Sequence, residues 1–134
     1  MGQKDFQQCM IIERLLQLMN QNIQLIICPI AREQSGLAMS SRNLRLSPSE
    51  RKTGGAIHHT LMWIKEKLTN NNFPDLQKKA ISGLEKMGFK VEYLELAKRN
   101  TLELIKEFDD GEELVILTAV FLNEVRLIDN VLIK

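Results

Sequence analysis

Ser40, Ser41 and Arg42 are the residues of this chain best equipped for chemistry. Two hydroxyls, a guanidinium fork and the backbone N–H groups of a turn are the groups that hold phosphate oxygens, and Gly36 just upstream supplies a mobile turn. The same residues also fit a plain surface turn leading into a helix, and a Ser-Ser-Arg turn alone does not choose between the two. A second candidate lies at the start of the chain, in Gly2-Gln3-Lys4-Asp5-Phe6-Gln7-Gln8. Lys4 is a compact point charge, and Gln8 follows it by one helical turn on the same face. Lys4 and Asp5 equally suit an exposed helix start, where a carboxylate is favoured at the positive end of the helix dipole. His58 and His59 form the only histidine pair. They fall within a predicted helix with neither a cysteine nor a third histidine at ligand spacing, so they read as structural or solvent-facing, and no metal site is expected.

The elements that would position these groups follow from periodicity. Phe6, Cys9, Met10, Ile12, Leu15, Leu16 and Met19 recur every three or four residues, which predicts an amphipathic helix from Asp5 to Met19. Ile23 to Cys28 is an isoleucine-rich run stopped by Pro29 and reads as a buried parallel strand. A helix feeding a parallel strand is one step of a doubly wound fold, whose ligands bind beyond the strand ends, where the 29–42 loop departs. One helix and one strand cannot bury such a sheet, so the first forty residues need a partner: an upstream segment, the rest of this chain or another copy.

After the loop, Ser47-Pro48-Ser49-Glu50 carries a capping serine, a proline suited to the first helical position and a glutamate able to return a bond to the cap. The helix it opens is expected to run to about Thr69, weakened at Gly54-Gly55. A second helix follows Phe73-Pro74 and stops at Gly88. Val91–Leu96, Leu114–Leu122 and Val125–Ile133 read as strands, with a tight hairpin at Asn123-Glu124 and a turn at Asp109-Asp110-Gly111. Two helices on a mostly antiparallel three-stranded sheet make a small α+β domain able to fold alone, with Trp63 in its core.

Eighteen basic residues against seventeen acidic ones leave no broad electrostatic footprint for nucleic acid or an anionic membrane. No apolar run approaches the roughly twenty residues needed to span a bilayer, and no leader is evident, so a cytoplasmic protein is expected. Cys9 and Cys28 sit in apolar surroundings and read as buried thiols.

Taken together, Gly2-x-Lys4-Asp5-x-Gln7-Gln8 and Gly36-Leu37-Ala38-Met39-Ser40-Ser41-Arg42-Asn43 resemble the pantothenate synthetase (pantoate–beta-alanine ligase) family. The resemblance continues through Leu46-Ser47-Pro48-Ser49-Glu50-Arg51 and ends in Val125-Arg126-Leu127-Ile128-Asp129-Asn130, which is similar to the family's C-terminal strand. It covers nearly the whole chain but only the second half of such an enzyme. The family's Met-Gly-x-Leu-His-x-Gly-His signature has no counterpart here, and Met1 stands where the family usually has an aromatic residue, like an added or retained start.

The resemblance implies an α/β organisation: residues 1–43 as the last helix–strand unit of a Rossmann-like nucleotide-binding domain, and 44–134 as the small lid domain. It implies AMP-forming condensation of pantoate with β-alanine through a pantoyl adenylate, with ATP and Mg²⁺. Lys4 would contact the phosphates, Gly2 and Asp5 the ribose, and Gln8 the pantoate. Ile30 and Ala31, where the family often has threonine and valine, would line the adenine pocket beside Met39, while Ser40, Ser41 and Arg42 would grip the ATP phosphates. The isolated chain is expected to be inactive without the N-terminal half. The rival expectation is a non-catalytic lid or interaction module that self-associates, as a homodimer for instance, or pairs with another chain.

Overall fold

A computed structural model describes residues 1–133. Its centre is one antiparallel sheet of β1 (Phe89–Lys98), β2 (Leu104–Ile105), β3 (Leu114–Leu122) and β4 (Val125–Ile133), in the order β2-β1-β3-β4. The first turns of helix α1 (Phe6–Leu18) pack on one face through Phe6, Cys9 and Met10, and the other carries α3 (Ala56–Lys67) and α4 (Phe73–Lys86), with the short α2 (Pro48–Gly54) leading into α3. Because strand side chains alternate, β3 divides its residues between two cores. Leu114, Ile116 and Val120 meet Ile57, Leu61 and Ile64 of α3 and Leu84 of α4; Val115 and Leu117 meet Phe6, Cys9 and Met10 of α1. Burial on both faces explains why β3 is an unbroken apolar run.

Four elements depart from the sequence reading. The sheet has a fourth strand, the two-residue β2, which completes a hairpin with β1 through the register Leu96↔Ile105 and Ala97↔Leu104. Ile23–Cys28 forms no strand: its one bridge joins Cys28 to Gly2 in parallel, and Ile23 and Ile26 are exposed. A lone extended segment finds no further ladder partner among the described residues. Cys28 is accordingly exposed rather than buried, whereas Cys9 lies in the α1 core. The predicted helix from Ser47 to Thr69 is divided at Gly55 into α2 and α3, and the cause is the loop that crosses there.

At that crossing an added Cβ on Gly55 would overlap the Ser35 carbonyl, whose carbon would lie 2.8 Å away, and one on Gly54 would meet Leu37 Cδ1 at 3.0 Å. Gly55 therefore admits the close approach of two backbones, and Gly54 that of the Leu37 side chain. The capping box takes the form expected, with Glu50 N donating to Ser47 Oγ (3.1 Å) and Ser47 N to Glu50 Oε1 (2.8 Å). The bonds from Ser47 hold the Glu50 carboxyl below its ordinary pKa. Trp63 is half-buried against the α3–α4 core.

Candidate functional site: a hairpin loop braced on the edge strand

The loop that carries Ser40–Arg42 is itself a miniature hairpin. Arg32 and Ala38 form an antiparallel bridge, Glu33 N donates to Leu37 O (2.8 Å), Met39 N donates to Ala31 O (2.8 Å), and Gly36 closes the turn at φ +99°. That φ lies in the left-handed region where glycine carries no steric penalty. Beyond it, Ser40 accepts a bond from Arg42 N on its Oγ and caps the single 3-10 turn Ser41–Arg45.

Buried and half-buried polar groups hold the hairpin down. Arg32 makes a two-pronged ion pair with Asp129 of β4, Nη1 to Oδ2 at 2.7 Å and Nη2 to Oδ1 at 2.9 Å, and its Nη1 also donates to Gly36 O at 3.0 Å. Glu33 gathers the two ends of the segment: it accepts from Asn43 Nδ2 (2.6 Å) and from Arg51 of α2 through Nε (3.0 Å) and Nη2 (2.8 Å). Asn43, almost fully buried, also donates to Ala38 O (3.0 Å). A planar guanidinium suits such fixed carboxylate geometry better than lysine would.

The opening segment is held from the same strand. Asn130 accepts from Gln3 Nε2 (3.1 Å) and donates to the carbonyls of Gln3 (2.9 Å) and Lys4 (3.1 Å). Consecutive strand residues point to opposite faces. Asp129 and Asn130 thus let one edge strand fasten the hairpin from the α3 side and the start of the chain from the α1 side. Arg42 reaches β4 as well, its Nη1 at 3.5 Å from Arg126 O, while the Arg126 side chain pairs with Glu92 at 2.7 Å.

The residues singled out in the sequence are brought together in part. Gly2 is bonded around Cys28 (Cys28 N to Met1 O and Gln3 N to Cys28 O, both 2.8 Å), and Ile30 and Ala31 follow at once, with Ala31 O tied to Met39 N. Gly2 is thus set beside Cys28, two residues before Ile30, and Ala31 beside Met39. Lys4 is half-buried beside Asn130, and Met39, Ser41 and Arg42 are exposed. Asp5 and Gln8 sit exposed at the start of α1, and no hydrogen bond among the described residues ties either to the hairpin.

The braces Arg32, Glu33, Asn43, Arg51, Asp129 and Asn130 carry no assigned role in the sequence reading. Charged or amide residues interrupting apolar strand and loop runs were their signal, but their partners lie far along the chain. His58, expected to be structural or solvent-facing, stands half-buried beneath the Gly36 turn, with Nδ1 buried and unbonded. Burial and the nearby Arg32 guanidinium lower its pKa, with Asp129 opposing. The Cys9 thiol is pushed upward by burial and is packed as an apolar group.

In fold, the molecule is one layer arrangement found in solved ligases. It superposes on the crystal structure of pantothenate synthetase from Thermus thermophilus with a TM-score of 0.81 and 27% identity, over 98% of this chain and 48% of that one. A pantoate-beta-alanine ligase from Francisella tularensis, solved in complex with beta-gamma ATP and beta-alanine, matches with a TM-score of 0.62 and 29% identity, over 98% of this chain and 41% of that one. In sequence, the pantothenate synthetases of Azobacteroides pseudotrichonymphae and Coprothermobacter proteolyticus are each 40% identical, covering 97% and 99% of this chain and 47% of their own lengths. The chain belongs to the pantoate-beta-alanine ligase family, whose model matches residues 1–132. It spans about half the length of the curated relatives it matches.

Proposed function

We propose that the chain supplies the C-terminal half of an AMP-forming pantoate–beta-alanine ligase. Residues 1–43 contribute the last helix and extended segment of a Rossmann-like nucleotide-binding domain, and 44–134 the lid. The observation that carries the reading is the braced hairpin, which leaves Ser41 and Arg42 exposed beside the half-buried Ser40 on a scaffold fixed by bonds that are largely shielded from solvent. A pre-set group of phosphate donors is what adenylation requires, since charge builds on phosphoryl oxygens while the carboxylate attacks. Magnesium enters with ATP as part of the substrate, held chiefly by phosphate oxygens.

In this reading Lys4 meets the phosphates from the opposite side of the hairpin, and Gly2 and Asp5 take the ribose. Ile30, Ala31 and Met39 border adenine, and Gln8 binds pantoate. The pantoate carboxylate attacks the α-phosphorus, pyrophosphate leaves against Arg42 and the serines, and the β-alanine amine then displaces AMP. The relatives' length motivates the requirement for a second half, which the exposed apolar side chains Ile11, Leu15, Leu18, Ile23 and Ile26 are suited to contact.

The test is AMP formation from Mg-ATP, pantoate and β-alanine by the chain alone and with a relative's N-terminal half added. Turnover only on addition, falling about 10²- to 10³-fold in Arg42→Ala, is expected. Failure to bind ATP or restore turnover in any combination, with a monomer or homodimer unaffected by nucleotide, would favour a non-catalytic interaction module.

A further inference from the structure

His58 is the one histidine that the loop scaffold absorbs without using its polarity. It projects from α3 against the Gly36 turn, where an ideal Cβ on Gly36 would lie 3.4 Å from its Cδ2 and 3.6 Å from its Cβ. Its Nδ1 is buried and makes no hydrogen bond. The charged and titratable groups facing it are Arg32 from the hairpin, Asp129 from β4 and His59 on its own helix. Asp129 accepts from both Arg32 Nη atoms and from Asn130 N (2.7 Å), Arg32 also donates to Gly36 O, and no hydrogen bond joins the carboxylate to the buried Nδ1 of His58.

We propose that His58 is a proton-operated latch for the hairpin: the neutral imidazole seats the Gly36 turn on α3, and protonation releases residues 33–39 while the sheet stays folded. A protonated ring would place an N–H donor without an acceptor at Nδ1 and a second positive charge beside Arg32, and both costs vanish if the turn lifts and water enters. The latch concerns the loop's conformation and holds whether or not the loop takes a nucleotide.

The direction with pH follows from linkage. A histidine whose folded pKa lies below its ordinary value near 6.5 favours the closed loop fully above that value, and its contribution is lost as pH falls through the folded pKa. The experiment is amide hydrogen exchange on the intact chain between pH 7.5 and 5, corrected for intrinsic rates, with β3 amides as internal reference. Protection of the Glu33, Gly36 and Met39 amides is expected to fall by up to about tenfold per pH unit, the limit for one linked proton, while β3 is unchanged.

The step should be absent in His58→Gln and His58→Leu and retained in His59→Gln. Loop protection that is flat with pH in the wild type, or a step that survives both His58 substitutions, overturns the proposal. So does a His58 imidazole that titrates by NMR at or above its ordinary value, a measurement that needs no variant to fold.

Discussion

Replacing Gly55 by alanine sets two effects of opposite sign against each other. Gly55 has helical dihedrals (φ −60°, ψ −21°), so helix propensity alone predicts that alanine stabilises the α2–α3 junction by about 1 kcal/mol. The added Cβ, however, falls within the van der Waals envelope of the Ser35 carbonyl oxygen and lies 2.8 Å from its carbon. These are backbone atoms of a residue whose Oγ donates to Arg51 O (3.2 Å) and which lies within the hairpin, so relief requires moving the loop. Overpacking of this kind costs about 1–3 kcal/mol, which exceeds the propensity gain or cancels it at the lower limit.

Two other glycines calibrate the effect. At Gly54 the obstacle is the end of the flexible Leu37 side chain at 3.0 Å, so Gly54→Ala should lie near neutral; at Gly83, within α4, nothing stands within 4 Å, so Gly83→Ala should stabilise by about 0.5–1 kcal/mol. Urea unfolding with the slope held as a check on two-state behaviour measures all three. The order Gly83→Ala most stable, then Gly54→Ala, then Gly55→Ala is expected. Gly55→Ala as stable as Gly83→Ala would refute the claim that the glycine pair exists to admit the loop.

The Arg32–Asp129 pair should respond asymmetrically: Arg32→Met strands a carboxylate whose side chain is 2% exposed and should cost about 3–5 kcal/mol, while Asp129→Asn leaves Arg32, at 19%, able to reach water and should cost less, as chemical denaturation would show. Asn130→Ala removes the bonds to Gln3 and Lys4 and should raise exchange at the first amides of the chain with the hairpin amides unaffected; a uniform rise would mean that β4 itself had loosened. Ser47→Ala should cost about 1 kcal/mol by removing the α2 cap, again read by urea unfolding. The Glu50 half of the same cap has its carboxyl pKa lowered, chiefly by the Ser47 backbone N–H, so its contribution is present above the ordinary carboxylate value and lost as pH falls through the folded one; the wild type should therefore lose more stability than Glu50→Gln on acidification, measured as the difference in melting temperature.

What the sequence made legible and what it concealed divide along contact distance. The capping box and the Asn123-Glu124 hairpin each depend on neighbours within a few residues and stand in the fold as read, whereas the apolar period of α1 is buried only at Phe6, Cys9 and Met10, with Leu15 and Met19 exposed. The Ile23–Cys28 strand failed because an apolar run carries no information on whether a second strand lies beside it. Gly54-Gly55 carried the right residues and the wrong meaning: as a local feature it is a weak spot in a helix, and only the approach of Ser35 makes it a docking surface. Asp129 and Asn130 are the sharpest case, because within β4 they are two polar residues in an apolar strand, unfavourable by pattern alone. Their partners stand 97, 126 and 127 residues away, a separation no periodicity reports. A pattern-breaking polar pair in an otherwise apolar strand is nonetheless a usable signal, since a buried carboxylate or amide persists only where something satisfies it. In this chain the groups that satisfy it are the two segments bearing Lys4 and Ser40–Arg42, so the strand farthest along the chain sets the relative position of the proposed phosphate contacts.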